Sequence, residues 1–146
     1  MVELKILKLK HNEILPEYKT KGASGMDLSA AIEKDITLAP LERCLIPTGI
    51  KIELPLGYEA QIRARSGLSI KHGITLINAV GTVDSDYRGE LCVPVVNLSN
   101  EKYTITKGER IAQMVICKVE QAKIEVVTEL TETIRGEGGF GSTGTK

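Results

Sequence analysis

The sequence predicts an all-β domain, an antiparallel β-sandwich or barrel, with one short helix. Short runs rich in Ile, Val and Leu recur along the chain, and Gly, Pro and Asn turn signals separate them. No long segment has the 3.6-residue apolar period of an amphipathic helix. Many short strands separated by turns are typical of antiparallel sandwiches and barrels.

Ten segments have the length and composition of strands. In residues 50–54, Ile-Lys-Ile-Glu-Leu, apolar and charged side chains alternate, so one face of this strand is expected to be buried. The predicted strands are Val2–Lys8, Gly25–Ala30, Asp35–Leu38, Cys44–Leu54, Tyr58–Arg65, Thr75–Ala79, Leu91–Leu98, Tyr103–Ile105, Arg110–Val119 and Ile124–Val127.

The one predicted helix follows the strand that ends at Arg65. Residues 66–73, Ser-Gly-Leu-Ser-Ile-Lys-His-Gly, begin with a capping residue and end with a glycine. The backbone amides of Ser66 and Gly67 are therefore expected at a helix N-terminus, where anions bind. Together with the guanidinium of Arg65 they suit a di- or triphosphate. The alternative is an ordinary strand-to-helix turn with an exposed arginine.

The composition of the 146-residue chain excludes several classes of protein. Its nineteen basic and nineteen acidic residues cancel, and without a basic block we expect no nucleic-acid binding. No apolar run is long enough for a membrane span, and the first residues lack the apolar run of a signal peptide. Cys44, Cys92 and Cys117 fit neither a zinc site nor a disulfide framework, which predicts buried, reduced thiols in a cytoplasmic protein.

Residues 78–89 combine a base-reading amide with a candidate catalytic acid. The strand is expected to break at Gly81 and form a tight hairpin whose backbone can approach a ligand. Asn78 carries a donor pair and an acceptor, the complement of a nucleobase edge. Asp84 follows a strand residue, so its carboxylate is held in place and could act as a general base. The alternative is a hairpin turn with ordinary Asp capping, and Asp86 fits that role better.

Two polar residues lie in otherwise apolar strands. Gln113 is the one polar residue in residues 111–116, so it should face either a ligand or a buried partner, and the sequence leaves both open. Asp27 could hold a magnesium-bound water, because Mg²⁺ prefers oxygen ligands and keeps several waters. A structural hydrogen bond is the alternative for Asp27, and the sequence favours it.

The last segment, residues 135–144, contains the only phenylalanine of the chain and five glycines. Arg135 offers a forked cation for phosphate, Ser142 and Thr143 offer hydroxyls, and Phe140 offers a face on which a base can stack. We therefore predict a flexible glycine-rich arm, residues 134–146, that closes over a nucleotide bound to a barrel domain, residues 1–133. A disordered tail is the alternative.

These segments resemble the five motifs of the homotrimeric dUTP pyrophosphatase (dUTPase) family. The resemblance runs from Ser24 to Gly144 in the family's order and approximate spacing. One such motif would be weak evidence, whereas five in order are specific. Thr82 and Val83 are a mild variation, because many relatives carry bulkier aliphatic residues there.

The resemblance implies a jelly-roll subunit of a homotrimer with active sites at subunit interfaces. The implied reaction is Mg²⁺-dependent hydrolysis of dUTP to dUMP and pyrophosphate, which keeps uracil out of DNA and supplies dUMP for thymidylate synthesis. By position, Asp84 activates the water that attacks the α-phosphorus, Asp27 holds the metal through water, and Tyr87 packs on the deoxyribose. The other implied substrate-binding residues are Arg65, Ser66, Gly67 and Gln113 for phosphates, Asn78, Gly81, Thr82 and Val83 for uracil, and Arg135, Phe140, Gly141, Ser142 and Thr143 from a neighbouring subunit.

The sequence also leaves two rival functions. A dCTP deaminase shares the implied fold and trimer, but it needs a proton-shuttling acid at C4 of the base, and the hairpin offers the dUTPase arrangement instead. A non-catalytic nucleotide-binding module is the other rival, and an intact Asp84 argues against it.

Overall fold

Eleven strands and one short helix make up the regular structure of the part of the chain that is described. The structure is a computed structural model and describes residues 2–140 and 142. The elements are β1 (Lys5–Lys8), β2 (Met26–Ser29), β3 (Ile36–Leu38), β4 (Arg43–Pro47), β5 (Ile50–Glu53), β6 (Tyr58–Ala64), α1 (Ser66–His72), β7 (Ile74–Leu76), β8 (Val80–Val83), β9 (Cys92–Asn97), β10 (Tyr103–Ile105) and β11 (Arg110–Lys118). The predicted all-β class with one helix is confirmed.

The strands form four antiparallel sheets around one apolar core. The largest sheet has the order β2-β11-β6-β8, a second has the order β4-β9-β7, and β1-β5 and β10-β3 are two-stranded. The core contains leucine, isoleucine, valine and methionine side chains from all four sheets. Since β7 and β8 belong to different sheets, the short turn between them carries the chain from one sheet to another.

The register of the four-stranded sheet brings two of the predicted site residues together. Asp27 on β2 lies opposite Gln113 on β11, and Gln113 lies opposite Arg63 on β6. Met26 and Met114, one position along, form a pair that is buried in the core. Because side chains alternate between the faces of a sheet, the row that contains Asp27 and Gln113 points away from the core.

Two predicted strands differ from the structure. The segment from Cys44 to Leu54 is divided into β4 and β5 at Gly49, which has a φ of 69° and lies so close to Asn12 that an added Cβ would be 2.6 Å from the Asn12 Cβ. The strand predicted at Ile124–Val127 is wrong, because this segment forms no strand and most of its side chains are exposed. Its apolar pattern has no partner strand within the described chain.

The three cysteines are free, as predicted, but each is only partly buried. Within residues 2–140, no helix is long and apolar enough to cross a membrane.

Candidate active site

Asp27 binds two arginines, and these three residues form the charged centre of the candidate site. Its Oδ1 accepts a hydrogen bond from Arg65 Nε at 3.0 Å, and its Oδ2 accepts one from Arg110 Nη1 at 3.0 Å. Arg65 Nη1 also donates to the carbonyl of Arg110 at 3.0 Å. Asp27 therefore has the structural hydrogen bonds that the sequence favoured, and it fixes the direction of both guanidinium groups.

Arg110 is a site residue that sequence reasoning missed. A register shift between Arg110 and Ala112 marks a β-bulge at the start of β11, and both Ile111 and Ala112 are buried. In a regular strand Arg110 and Gln113, three positions apart, would face opposite sides. The bulge places both on the side of Asp27. A regular alternation of faces along residues 110–113 would therefore place Arg110 on the side opposite Gln113. Only the two consecutive apolar residues between them indicate the bulge.

Gln113 has a backbone partner and a neighbour that leaves it room. Its Nε2 donates to the carbonyl of Ala64 at 3.1 Å. Its Oε1 lies 2.9 Å from the place where a Cβ on Gly25 would be, so the missing side chain of Gly25 gives Gln113 its space. The hydrogen bond to Ala64 gives one hydrogen of the Gln113 side-chain amide a partner within the protein, which is one of the two alternatives that the sequence left open. The phosphate role of Gln113 stays a prediction.

The predicted helix is confirmed, and its first amides are open. Ser66, the capping residue expected from the sequence, is instead the first residue of the helix. Arg65 is the N-cap residue in an extended conformation, and no side chain caps the helix. The first helical bond runs from the amide of Ser69 to the carbonyl of Arg65, so the amides of Ser66 and Gly67 have no partner within the helix. Both residues are exposed. Gly73 ends the helix with a φ of 66°.

A second network holds the other end of α1 against the turn that precedes β11. The ring of His72 lies on that of Tyr103, with centroids 4.8 Å apart. The Tyr103 hydroxyl donates to the carboxylate of Glu109, which also accepts from the amide of Thr106 at 2.9 Å. Burial, and to a smaller extent the hydrogen bond to Glu109, together raise the pKa of Tyr103 to about 12. The hydroxyl therefore stays protonated and continues to donate near neutral pH.

The predicted hairpin is wrong, because β7 pairs with β9 and β8 pairs with β6, and the turn that joins them comes before Gly81. The strand does not break at Gly81, since β8 runs through it, and the turn instead contains Ala79 with a φ of 58°. A Cβ on Gly81 would lie 3.1 Å from Asn78 Nδ2 and 3.3 Å from Ile62 Cβ. Asn78 therefore folds back over Gly81, and the glycine makes this contact possible.

Asp84 follows β8 directly and is exposed. With Thr82 and Asp86 it lines an open groove of about 760 Å³. The amide of Tyr87 donates to the Asp84 carbonyl at 3.2 Å, which closes a turn. In the described part of the chain no side chain donates a hydrogen bond to the Asp84 carboxylate, so this group is free to accept one from a bound molecule.

The charged centre opens on a different groove. Asp27 and Arg110 line a groove of about 230 Å³ together with Glu17, Lys19 and Ser29. This groove shares no described lining residue with the groove that contains Asp84. In a single chain, Asp27 and Arg110 of the charged centre therefore line a different groove from Asp84.

The tail residues make only local contacts in the described chain. Arg135 Nε donates to the carbonyl of Gly138 at 2.8 Å, the amide of Ser142 donates to the carbonyl of Gly139 at 3.0 Å, and Phe140 is fully exposed. The predicted site residues Gly141 and Thr143 lie outside the described residues. The structure thus does not bring Arg135 or Phe140 to the other site residues.

The family was identified by comparison with known proteins. The profile described as dUTPase matches residues 11–144. This chain belongs to the dUTPase family. It is 66% identical to a deoxyuridine 5'-triphosphate nucleotidohydrolase of Finegoldia magna over 92% of the chain and 94% of that relative. It is 58% identical to the protein of the same name from Fusobacterium nucleatum over 98% of the chain and 97% of the relative.

Solved structures of dUTPases share the fold. A mutant dUTPase of Staphylococcus bacteriophage 80alpha with dUpNHpp superposes with a TM-score of 0.88 at 28% identity, covering 98% of this chain and 99% of that chain. A mutant dUTPase of the S. aureus phage phi11, described with a structural Mg(II) ion, has a TM-score of 0.81 at 24% identity and covers 89% of this chain and 99% of its own. The predicted dUTPase fold is confirmed.

Proposed function

We propose that this chain hydrolyses dUTP to dUMP and pyrophosphate with Asp84 as the base that activates water. The activity rests on membership of the family and on two relatives named as nucleotidohydrolases of dUTP, and these confirm the activity predicted from the five motifs. The structural observation that carries the residue roles is the centre where Asp27 gathers Arg65 and Arg110 beside the open amides of α1.

The triphosphate would bind at this charged centre. Two guanidinium groups and one carboxylate leave a local excess of positive charge, and Gln113 lies beside them in the same row of the sheet. The amides of Ser66 and Gly67 form no hydrogen bond within the helix, so they add two further donors. Because these donors are already oriented, they can stabilise charge that develops on the phosphates without reorganising.

Uracil would bind at the turn between β7 and β8, where Asn78 lies over Gly81. The side-chain amide and the backbone of residues 81–83 supply both donors and acceptors to a base edge. Thymine differs by one methyl group, which attractive contacts alone distinguish by only about 1–3 kcal/mol. Rejection of thymine therefore requires a steric clash, and backbone held in a paired strand supplies it. Cytosine would leave polar groups without partners because its donors and acceptors are reversed.

Asp84 would accept the proton of the attacking water. The water oxygen forms a bond to the α-phosphorus, the bond from that phosphorus to the bridging oxygen breaks, and pyrophosphate leaves. The exposed Asp84 carboxylate directly follows β8, so the strand that would contact uracil would also position the general base. Tyr87 lies three residues further on and would pack on the deoxyribose.

The dUTPase family uses Mg²⁺, and the charged centre fits binding of this ion through water rather than direct coordination by several side chains. In the described residues no group of three or more His, Cys, Asp or Glu side chains could enclose a metal. Asp27 uses one acceptor position on each oxygen for an arginine and keeps others for a water molecule. Asp27 would therefore hold Mg²⁺ through water while the substrate phosphates bind it directly, and the ion would neutralise phosphate charge.

The complete site would be assembled in a homotrimer. The groove of the charged centre and the groove of Asp84 are separate in one chain, so the charged centre of one subunit and Asp84 of another would have to face each other. The tail supports this arrangement, because the apolar side chains of Ile124, Val126, Leu130 and Ile134 are exposed in a single chain. Arg135, Phe140, Gly141, Ser142 and Thr143 would then close over the site of a neighbouring subunit.

The role of Asp84 is tested by Asp84→Asn, with Asp86→Asn as the matched control. Asp86 is exposed in the same groove, so its variant makes the same chemical change two residues away. We expect Asp84→Asn to lower kcat by roughly 10²–10⁴-fold while dUTP still binds, as for loss of a general base. Asp86→Asn should leave kcat close to that of the wild type. Turnover of Asp84→Asn near the wild-type rate would refute the assignment.

A further inference from the structure

The ring of Tyr87 lies directly over Gly89. A Cβ added to Gly89 would be 2.2 Å from the Tyr87 hydroxyl oxygen and 2.4 Å from Cζ. Carbon atoms of neighbouring residues do not approach so closely, so no side chain larger than hydrogen is compatible with this position of the ring. Gly89 thus determines where the Tyr87 ring can lie.

The residue that accepts the hydrogen bond from Tyr87, Glu90, is fixed by hydrogen bonds of its own. The Tyr87 hydroxyl donates to the carbonyl of Glu90 at 3.2 Å. The Glu90 carboxylate accepts from the amide of Gly49 at 2.8 Å and contacts His11 Nε2 at 2.7 Å. The next amide, that of Leu91, donates to β5 at 2.9 Å. The acceptor is therefore part of the rigid barrel.

The tyrosine itself is the movable partner. Tyr87 is 46% exposed, and its hydroxyl makes one hydrogen bond in the described chain. Gly89 has no positive φ, so an alanine can adopt the backbone conformation at this position. A methyl group at residue 89 would consequently displace the far end of an exposed side chain and would leave the backbone and the core in place.

We propose that Gly89 is a positioning residue that sets the selectivity of the enzyme for deoxyribose over ribose. Because Gly89 has no side chain, the Tyr87 ring can occupy the position from which it excludes a 2′-hydroxyl. The inference rests on the proposed function, in which Tyr87 packs on the deoxyribose. Contacts that merely tolerate a substrate discriminate poorly against one extra hydroxyl, whereas a ring held against the C2′ position excludes it by overlap.

The test compares Gly89→Ala with the control Gly22→Ala. An added Cβ at Gly22 meets nothing within 4 Å, and its φ is not positive. We expect the ratio of kcat/KM for dUTP to kcat/KM for UTP to fall about tenfold or more in Gly89→Ala and to stay unchanged in Gly22→Ala. The Tm of both variants should stay within about 2 °C of the wild type. Unfolding of Gly89→Ala would overturn the inference, because it would show that more than Tyr87 must move.

Tyr87→Ala and the double variant with Gly89→Ala separate the inference from the function on which it rests. If Gly89 acts through Tyr87, adding Gly89→Ala to Tyr87→Ala leaves the dUTP to UTP ratio where Tyr87→Ala puts it. A further fall in the double variant would overturn the inference. An unchanged ratio in Tyr87→Ala would instead contradict the proposed role of Tyr87. A lowered ratio in Tyr87→Ala with a wild-type ratio in Gly89→Ala would overturn the role of Gly89 alone.

Discussion

Replacing Asp27 with asparagine tests whether the charged centre is organised by this one carboxylate. Asp27→Asn keeps the shape of the side chain and removes its charge. The variant retains one oxygen acceptor where the wild type uses two for Arg65 and Arg110. One arginine therefore loses its partner, and the two neighbouring cations are no longer neutralised.

The size of the effect follows from the exposure of the three side chains. Asp27 is 21% exposed and Arg65 is 29% exposed, so their bond lies at the lower end of the range for charged hydrogen bonds, about 1.5 kcal/mol. Arg110 is 51% exposed, and its pair contributes at the surface scale of about 0.5 kcal/mol. Since asparagine keeps one weaker bond, the net loss is about 1–2 kcal/mol, or about 3–6 °C in Tm for a chain of this length.

Thermal unfolding of Asp27→Asn, with Asp35→Asn as the control, measures this loss. Asp35 is exposed and forms no ion pair within residues 2–140. In 1 M salt, where the Debye length is about 3 Å, the difference between the two variants should shrink. The kcat/KM for dUTP should also fall in Asp27→Asn, since its arginines are no longer oriented. Equal Tm values and equal kcat/KM for the two variants would refute the organising role of Asp27.

Two further predictions concern the tail and the turn between β7 and β8. Truncation after Thr133 should leave a folded oligomer with an unchanged circular dichroism spectrum, because β11, the last strand of the described residues, ends at Lys118. The truncated protein should hydrolyse little dUTP. If it unfolded instead, the tail would have a structural role. Gly81→Ala should cost about 1 kcal/mol, since Ile62 is 4% exposed and cannot give way. It should also lower kcat/KM for dUTP at least tenfold relative to Gly22→Ala by displacing Asn78, and wild-type kcat/KM would contradict the uracil role of the β7–β8 turn.

The fold was predictable from alternation and turn signals because most strands have one buried face. The predicted and observed bounds of the strand at Tyr103–Ile105 agree, and the one helix lies where it was predicted, directly after Arg65. The segment at Ile124–Val127 has the composition of a strand, but a strand needs a hydrogen-bonding partner, and no local pattern shows whether the same chain supplies one.

The positions of the site residues were less predictable than their identities. Arg110 was missed because a β-bulge reverses the face on which it lies, and the register that creates the bulge involves β2, more than eighty residues earlier. The turn near Gly81 was placed too late, since the residue that turns the chain is Ala79, which carries no glycine signal. Gly89 is unremarkable in sequence, and only the ring of Tyr87 above it shows its importance.

The central claim is that this chain hydrolyses dUTP and distinguishes it by base and by sugar. The direct test is release of pyrophosphate from dUTP, dTTP, dCTP and UTP by the full chain, with and without Mg²⁺. We predict rapid release from dUTP with Mg²⁺, release slowed by removal of the ion, and little release from the other three nucleotides. Ammonia released from dCTP without pyrophosphate, or equal release from dUTP and dTTP, would contradict the account.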